Sequence, residues 1–437
     1  MLGLILLLFS LYLYFSKKWR YLSNFLYMGF LSDGYGILID PVLGGTKNGD
    51  LALIYTAIVS VLMVVNKTYR LPYASVLRWY FIFFVFLMCS AVFSYVYYEI
   101  PIYGIIQGGR SFLLILSLPI LINIGETNVI RILKMLSVMT IVVGMVDIVQ
   151  IIFQIPILPS YSIMKDPSTG LYRFFSFPKF SMFFLLICIV CPNYYGRYTK
   201  YVIAMLVVCI LGCWARSAMI IMLMSIFLVL YFSKKASKIV KYALMLLFFA
   251  LPLLPFVIER FSGGGGGTMA DIQTVMSGKV VMVSYDQSEG SFAYRISWVL
   301  ERFLYLVDRP FGEQFFGLGL ISDGSDLSKR MYNFVVNIIF YESNMIQQLR
   351  SPDIAYGTML AYLGFGGTII YLFFYSKVLL TFFREKLRSP YYLVISVLMI
   401  TGLASSFFDD SLSNPSAFAI HFMLLGMLLK KKYISVK

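Results

Sequence analysis

Four arginines stand at the ends of long apolar stretches, where a charged side chain is costly to place. They are Arg110 (GGRSFLL), Arg173 (LYRFFSF), Arg216 (CWARSAM) and Arg295 (AYRISWV). A guanidinium group is planar and always charged, and its paired N–H donors match the oxygens of a phosphate group. A single arginine of this kind is commonly structural, because it reaches toward water or pairs with a carboxylate. Four of them on one side of a helical bundle favour a site for phosphate or pyrophosphate.

Several aspartates could pair with these arginines or take part in proton transfer. Asp33 and Asp147 lie within apolar stretches, where an ionisable group is either functional or part of an ion pair. Asp353 begins another apolar segment, where a carboxylate could cap a helix N-terminus or serve as a base. An ordinary aspartate is a weak base, so that second role needs a site that raises its pKa. The pair Asp409-Asp410 is interpreted as an exposed turn.

Other common kinds of catalytic site find little support in the sequence. His421 is the single histidine, so no Ser-His-Asp set can form, and we interpret it as a residue packed between helices. All five cysteines fall in apolar runs, which is typical of small packing residues and not of disulfides or zinc sites. The sequence has no D-x-D motif and no cluster of outer carboxylates to hold Mg²⁺. We therefore expect no metal and no cofactor.

The composition indicates that these groups are positioned by helices inside a membrane. Of the 437 residues, 60% are hydrophobic and only 13% are charged, and the mean hydropathy is +0.82. Soluble domains contain about 25% charged residues. The composition therefore excludes a soluble enzyme, a disordered chain and a secreted disulfide scaffold. It predicts an all-α polytopic membrane protein.

Thirteen apolar stretches are candidates for transmembrane helices, since a helix needs roughly 20 residues to cross a bilayer. Some of them are short, so the count lies between 11 and 14. The stretches are 1–16, 21–40, 51–66, 79–98, 111–124, 132–155, 178–193, 201–214, 217–232, 240–258, 354–376, 391–408 and 417–429.

The distribution of charge predicts the orientation of the chain. Alternate loops carry most of the 36 Lys and Arg residues and only two acidic ones, Glu126 and Glu385. By the positive-inside rule these loops are cytoplasmic, which places the N-terminus outside and the C-terminus inside. We expect a multi-pass membrane protein. The net charge of +15 then reflects topology, so we expect the lipid bilayer as a partner and no nucleic acid.

The predicted organisation has three parts. Residues 1–258 form an N-terminal transmembrane bundle, 259–353 form a long external loop, and 354–437 form the last helices and a basic tail. The loop includes five consecutive glycines, Gly263–Gly267, which are typical of a flexible spacer. Its middle, Arg295–Asp308, places one apolar face on a helix and predicts a short amphipathic helix at the membrane surface. That face consists of Ile296, Val299, Leu300, Phe303 and Val307.

Most of residues 100–375 resembles the bacterial O-antigen polymerases and O-antigen ligases, a group of polytopic glycosyltransferases. The resemblance rests on the order of weak motifs. These are Tyr172-Arg173 with Phe177-Pro178-Lys179; Ala215-Arg216-Ser217-Ala218; Arg295 with Trp298, Arg309-Pro310-Phe311-Gly312 and Phe316-Gly317-Leu318-Gly319; and Asp353 with Leu360-Ala361 and Gly364-Phe365-Gly366-Gly367. The chain departs from the pattern at Ser176, where a glycine is expected, and at Lys179, where an asparagine is expected. Asp353 stands where the ligases have a histidine, which favours a polymerase.

The resemblance implies a substrate and a set of site residues. The substrate would be an oligosaccharide repeat unit on undecaprenyl pyrophosphate, joined to another unit at the outer face of the membrane as O-antigen or capsule-type polysaccharide. A polysaccharide chain-length regulator is implied as a partner. The expected catalytic residues are Arg173, Arg216 and Arg295 on the pyrophosphate, with Asp353 as the base. The expected substrate-binding residues are Arg110, Tyr172, Lys179, Arg302 and Arg309.

Three alternatives stay open from the sequence. An O-antigen ligase would transfer finished glycan to a lipid A core. A flippase for lipid-linked glycans would also need cationic residues, but such transporters usually show internal repeats, and none is visible here. A scaffold in a polysaccharide assembly complex would not need four arginines near the outer helix ends.

Overall fold

The computed structural model describes most of the chain outside one long central segment. The described residues are 2–38, 47–68, 74–158, 163–165, 170, 172–174, 178–213, 215–233, 291–323, 325–340, 345–351 and 353–434. The predicted span 240–258 and the glycines Gly263–Gly267 lie outside these ranges.

Helices dominate the described residues. Those before the central segment are α1 (Leu2–Phe15), α2 (Arg20–Leu31), α3 (Asn48–Val65), α4 (Ser75–Tyr97), α5 (Ile102–Leu113), α6 (Ser117–Ile122), α7 (Glu126–Phe153), α8 (Ser181–Val190), α9 (Thr199–Gly212) and α10 (Arg216–Phe232). Those after it are α11 (Ser291–Val307), α12 (Phe311–Phe316), α13 (Asp326–Met331), α14 (Ala355–Arg384), α15 (Pro390–Ser405) and α16 (Ala419–Ile434). Two short antiparallel hairpins complete the description: β1 (Ile163–Lys165) with β2 (Tyr172–Phe174), and β3 (Ile338–Phe340) with β4 (Met345–Gln347).

Five of the described helical segments are long and apolar enough to cross a membrane, as expected for an all-α membrane protein. They are Asn48–Val65, Ser75–Tyr97, Ile102–Ile122, Glu126–Phe153 and Ala355–Arg384. Apart from 240–258, every predicted stretch overlaps a helix, but several of these helices are shorter than a span. The helix lengths therefore support the class and do not establish thirteen spans.

Packing and buried hydrogen bonds hold the bundle together, because lipid offers helices little hydrophobic reason to associate. Helix α14 packs against α4 through stacked and tilted rings, including Trp79 with Phe373 at 4.9 Å between ring centroids. At the other end of the sequence, the Tyr27 hydroxyl lies 2.5 Å from that of Thr56, and the Ser23 hydroxyl lies 2.7 Å from that of Tyr55. These pairs join α2 to α3 in a part of the bundle where every side chain involved is buried.

The segment between α11 and α13 docks against α14 at a break in that helix. Gly364 lies inside α14 with φ +62°, so the regular helix is interrupted there. The freed carbonyl of Ala361 accepts a hydrogen bond of 2.7 Å from the Leu318 amide, which follows Gly317 at the end of α12. A Cβ on Gly364 would lie 2.5 Å from the Gly317 nitrogen. The close approach of the two backbones therefore requires glycine.

The apolar face predicted for the amphipathic helix is not its most buried face. Helix α11 instead buries Tyr294, Trp298, Arg302 and Leu306, which recur at every fourth position. The predicted face of Ile296, Val299, Leu300 and Phe303 lines an apolar cavity, and Val307 is exposed. The helix was predicted correctly, but its buried side contains an arginine that the apolar pattern did not reveal.

We predict that Gly364→Ala strongly destabilises the protein. The new Cβ meets backbone atoms and the φ value is one that alanine adopts at a cost, so about 2–4 kcal/mol should be lost. The measurement is the melting temperature of the purified protein in detergent. Gly125→Ala is the matched control, because Gly125 has φ −67° and open space at its Cβ position. Equal melting temperatures for the two variants would contradict the role given to Gly364.

Candidate functional site

A polar cavity of ≈ 260 Å³ lies where several helix ends meet. We call it the basic cavity, because four of the residues around it are cationic. Its lining is Phe30, Leu31, Asp33, Lys47, Gly49, Arg110, Ser111, Leu114, Lys179, Arg350, Asp410 and Asn414. The cavity brings together Arg110 and Lys179, two residues that the sequence predicted for substrate binding.

Each cationic group reaches the basic cavity from a helix end or an adjoining turn. Arg110 lies in the last turn of α5, and Lys179 lies just before α8. The sequence analysis placed Arg110 at the start of an apolar stretch, but the helical run begins at Ile102, so Arg110 lies inside it. Asp33 has φ +49° in a tight turn that follows α2. These turns carry polar residues, whereas the helices they join are apolar.

Three of the cationic groups are paired with carboxylates. Lys179 Nζ lies 2.7 Å from Asp33 Oδ2, Arg110 Nη1 lies 3.3 Å from Asp50 Oδ2, and Arg350 Nη2 lies 3.3 Å from Asp410 Oδ2. All six side chains are between 20% and 45% exposed. They are accessible to a ligand, and solvent screens their mutual attraction. The arrangement can therefore exchange a carboxylate partner for another anion.

Arg350 is a member of the basic cavity that the sequence analysis missed. Its Nη1 also donates to the Ser111 hydroxyl at 3.3 Å, next to Arg110. The turn at Asp409-Asp410 was interpreted as exposed, but Asp410 faces Arg350 in the cavity. Burial raises the pKa of Asp410 above its ordinary value, and the charge of Arg350 opposes that rise. Only the fold brings these two groups together, since 60 residues separate them.

A second carboxylate fixes the backbone that carries Arg350. Asp323 accepts hydrogen bonds of 2.8–3.0 Å from the amides of Gln348, Leu349 and Arg350. Burial raises the pKa of Asp323, and these hydrogen bonds oppose the rise because they stabilise the charged form. The three amides are held in one direction, which sets the position from which the Arg350 side chain enters the basic cavity.

Arg302, which the sequence predicted as a substrate-binding residue, holds the other side of the same segment. The side chain is 0% exposed. It donates to the carbonyls of Gln348 and Val336 at 2.6 Å each and to Glu301 Oε2 at 2.8 Å. Its guanidinium lies 3.6 Å from the ring centroid of Trp298. Burial lowers the pKa of Arg302 to about 10, so the group stays charged at neutral pH and has no free surface to offer a ligand.

Arg295 and Asp353 form a separate pair outside the basic cavity. Arg295 Nη2 lies 3.8 Å from Asp353 Oδ1, and its guanidinium lies 5.8 Å from the ring centroid of Phe408. Arg295 stands at an apolar cavity of ≈ 510 Å³ whose other lining residues are Ile296, Val299, Leu300, Phe303, Ile354, Phe407 and Phe408. One turn contributes to both cavities. Its residue Phe408 lines the apolar cavity, and its residue Asp410 lines the basic cavity.

The remaining predicted residues lie elsewhere or are described only in part. Arg173 is in β2, paired with Met164, and Arg216 begins α10, but their side chains lie outside the described part of the structure. Tyr172 is exposed, and its amide donates to Gln154 Oε1 at 2.6 Å. Arg309 is exposed against Tyr305 and lies 3.8 Å from Glu313. The described side chains thus do not bring Tyr172 or Arg309 into the basic cavity.

Two further observations complete the inventory of polar groups. Within the described ranges, no three side chains of His, Cys, Asp or Glu lie close enough together to share a metal ion. The intramembrane Asp147 is buried in α7 and accepts a hydrogen bond of 2.6 Å from Gln150 Nε2. The side-chain Oε1 of Gln150 in turn accepts from the Leu158 amide, so this pair closes the end of α7.

Comparisons of the whole chain with protein-family models and with curated proteins find no match. The site must therefore be interpreted from its own geometry and charge.

We predict that the basic cavity binds inorganic pyrophosphate and that Arg350→Ala weakens this binding about 10-fold, since hydrogen bonds to charged groups contribute roughly 1.5–3 kcal/mol. Asp410→Asn should strengthen binding, because it removes the carboxylate that competes for Arg350. Titration calorimetry in detergent measures both affinities. Arg388→Ala is the control, since Arg388 is an exposed arginine paired with Glu385 outside the cavity. Equal affinities for Arg350→Ala and Arg388→Ala would rule out Arg350 as a ligand.

We predict that Arg302→Met lowers the free energy of unfolding by about 2–4 kcal/mol, because the carbonyls of Gln348 and Val336 lose a buried charged donor. Thermal denaturation in detergent measures the change. Arg309→Met is the matched control, since that arginine is exposed on the next turn of the chain. If both variants melt together, Arg302 does not stabilise the segment that carries Arg350.

Proposed function

We propose that this protein is a glycosyltransferase that polymerises oligosaccharide repeat units carried on undecaprenyl pyrophosphate. The reaction takes place at the outer face of a bacterial cytoplasmic membrane. The chain crosses the membrane about thirteen times, with its N-terminus outside and its C-terminus in the cytoplasm. The helix ends around the basic cavity belong to the outer side in this topology, where the lipid-linked substrates are presented.

One observation carries the proposal: two cation-bearing cavities lie on either side of a single turn, Ser406–Asp410. Asp410 of this turn lines the basic cavity, and Phe408 lines the apolar cavity beside Arg295. A reaction between two lipid-linked anions needs two adjacent sites, each with a cation and with access to lipid. Polymerisation of lipid-linked units has two such substrates, and each of the two neighbouring cavities has a cation in its lining.

The proposed step uses the basic cavity for the donor. Arg110, Lys179 and Arg350 exchange their carboxylate partners for the pyrophosphate of the growing chain. A hydroxyl oxygen of the acceptor unit attacks the anomeric carbon of the donor, and the bond from that carbon to the pyrophosphate oxygen breaks. The pyrophosphate leaves with the bonding electrons, and fixed cations stabilise its charge as it develops.

The acceptor is placed beside Arg295 and Asp353. Asp353 takes the proton of the attacking hydroxyl, and Arg295 at 3.8 Å holds the carboxylate in position before the transfer. Asp353 thus plays the part that the ligases give to a histidine.

The test is incubation of the purified protein in nanodiscs with the lipid-linked repeat unit alone. Electrophoresis should show a ladder of lengthening glycan. Arg350→Ala and Arg110→Ala should slow ladder formation at least 10-fold, and Asp353→Asn should slow it further, because it removes the base. Arg388→Ala is the control and should retain the rate of the unmodified protein.

Two results would contradict the proposal. If no ladder forms in nanodiscs or detergent, but glycan is transferred once lipid A core is added, the protein is a ligase. If the protein instead moves the lipid-linked unit between leaflets of a vesicle without lengthening it, the protein is a transporter.

A further inference from the structure

A second chamber adjoins the basic cavity and has a different lining. It measures ≈ 310 Å³ and lies between the ends of α2, α8, α15 and α16. Five residues line both spaces: Leu31, Asp33, Lys179, Asp410 and Asn414. The two spaces are therefore neighbours across these side chains. We call the second one the aromatic chamber, after Phe180, Phe183 and Phe418 in its wall.

The lining of the aromatic chamber combines ring faces with groups that exchange hydrogen bonds. Its polar side chains are Ser32, Asp33, Lys179, Asp410, Ser411, Asn414 and His421. Carboxylates, amides, hydroxyls and imidazole together provide both donors and acceptors, which a sugar ring with its many hydroxyls requires. The electron-rich faces of the phenylalanines suit the C–H side of a pyranose ring. These seven polar side chains make the lining a poor fit for a hydrocarbon tail.

His421 is a buried polar residue in the first turn of α16. It is 8% exposed, and the edge of its ring meets Phe418 at 5.3 Å between centroids. Its Nδ1 has no hydrogen-bond partner among the described residues. A buried polar atom without a partner costs about 1–3 kcal/mol. The imidazole also contributes to the lining of the chamber.

We propose that the aromatic chamber binds the sugar next to the pyrophosphate of the donor, with the His421 imidazole hydrogen-bonded to a substituent of that sugar. The inference rests on the proposed function, because it places the pyrophosphate in the basic cavity. A sugar attached to that pyrophosphate must lie in a neighbouring space, and the aromatic chamber shares five lining residues with the basic cavity. His421 is thus a residue that distinguishes the glycosylated lipid from the bare lipid carrier.

The experiment compares two probes on the full protein in nanodiscs. One probe is undecaprenyl pyrophosphate, and the other is the native lipid-linked repeat unit extracted from source cells that lack this chain. His421→Phe should bind the repeat-unit lipid about 3- to 10-fold more weakly than the unmodified protein, as expected for one lost hydrogen bond. Its affinity for undecaprenyl pyrophosphate should not change.

Two further variants keep the test decisive. His421→Asn retains a donor and an acceptor and should recover most of the lost affinity. Met423→Leu is the matched control, since Met423 is buried in the same helix and lines neither space. Melting temperatures of all variants report on folding.

Either of two results would overturn the proposal. Equal weakening of both probes by His421→Phe would mean that the chamber holds the lipid carrier. Unchanged binding of both would mean that His421 does not touch the donor. Failure of the proposed function has a different signature, because the unmodified protein would then form no ladder and Arg350→Ala would not affect pyrophosphate binding.

Discussion

The buried guanidinium of Arg302 is the interaction on which the arrangement of the site depends. A charge without access to water must be matched by charges or carbonyls, and here Glu301, Gln348 and Val336 provide the match. The same guanidinium lies between the rings of Trp298 and Phe334. The Gln348 amide donates to Asp323, and the Gln348 carbonyl accepts from Arg302. Two side chains therefore hold the backbone just before Arg350. The position of the partly exposed Arg350 therefore depends on the fully buried Arg302.

The contact between the segment after α11 and the membrane helices includes a backbone hydrogen bond. The break at Gly364 releases a carbonyl from α14, and the Leu318 amide takes it. The segment after α11 is thus joined to the bundle through backbone as well as side chains. Arg295 and Asp353 lie on the two elements that this contact brings side by side, α11 and the chain that leads into α14. Their position follows from the docking of the whole segment.

The sequence could predict the class of fold and part of the site, and the reasons are physical. Apolar stretches must become helices in lipid, so twelve of the thirteen predicted stretches overlap helices of the described chain. Arg110 was recognisable because it borders an apolar run, and Lys179 because it lies in one of the motifs that carry the family resemblance. Arg350 was not, since its surroundings (QQLRSPD) are polar, and only the long-range contact with Asp410 shows where it points. Arg302 was predicted to bind substrate. The four-residue spacing of Tyr294, Trp298 and Leu306 instead places Arg302 on the buried side of α11.

In the proposed reaction, the three carboxylates that pair with cations of the basic cavity act at the end of the catalytic cycle as well as at its start. A cluster of bare cations would hold a pyrophosphate so tightly that its departure would limit the rate. In the proposed cycle, Asp33, Asp50 and Asp410 form their ion pairs again as the anion leaves. Part of the binding strength for pyrophosphate is given up in that exchange. In return, the spent lipid carrier can leave quickly and the next substrate can enter.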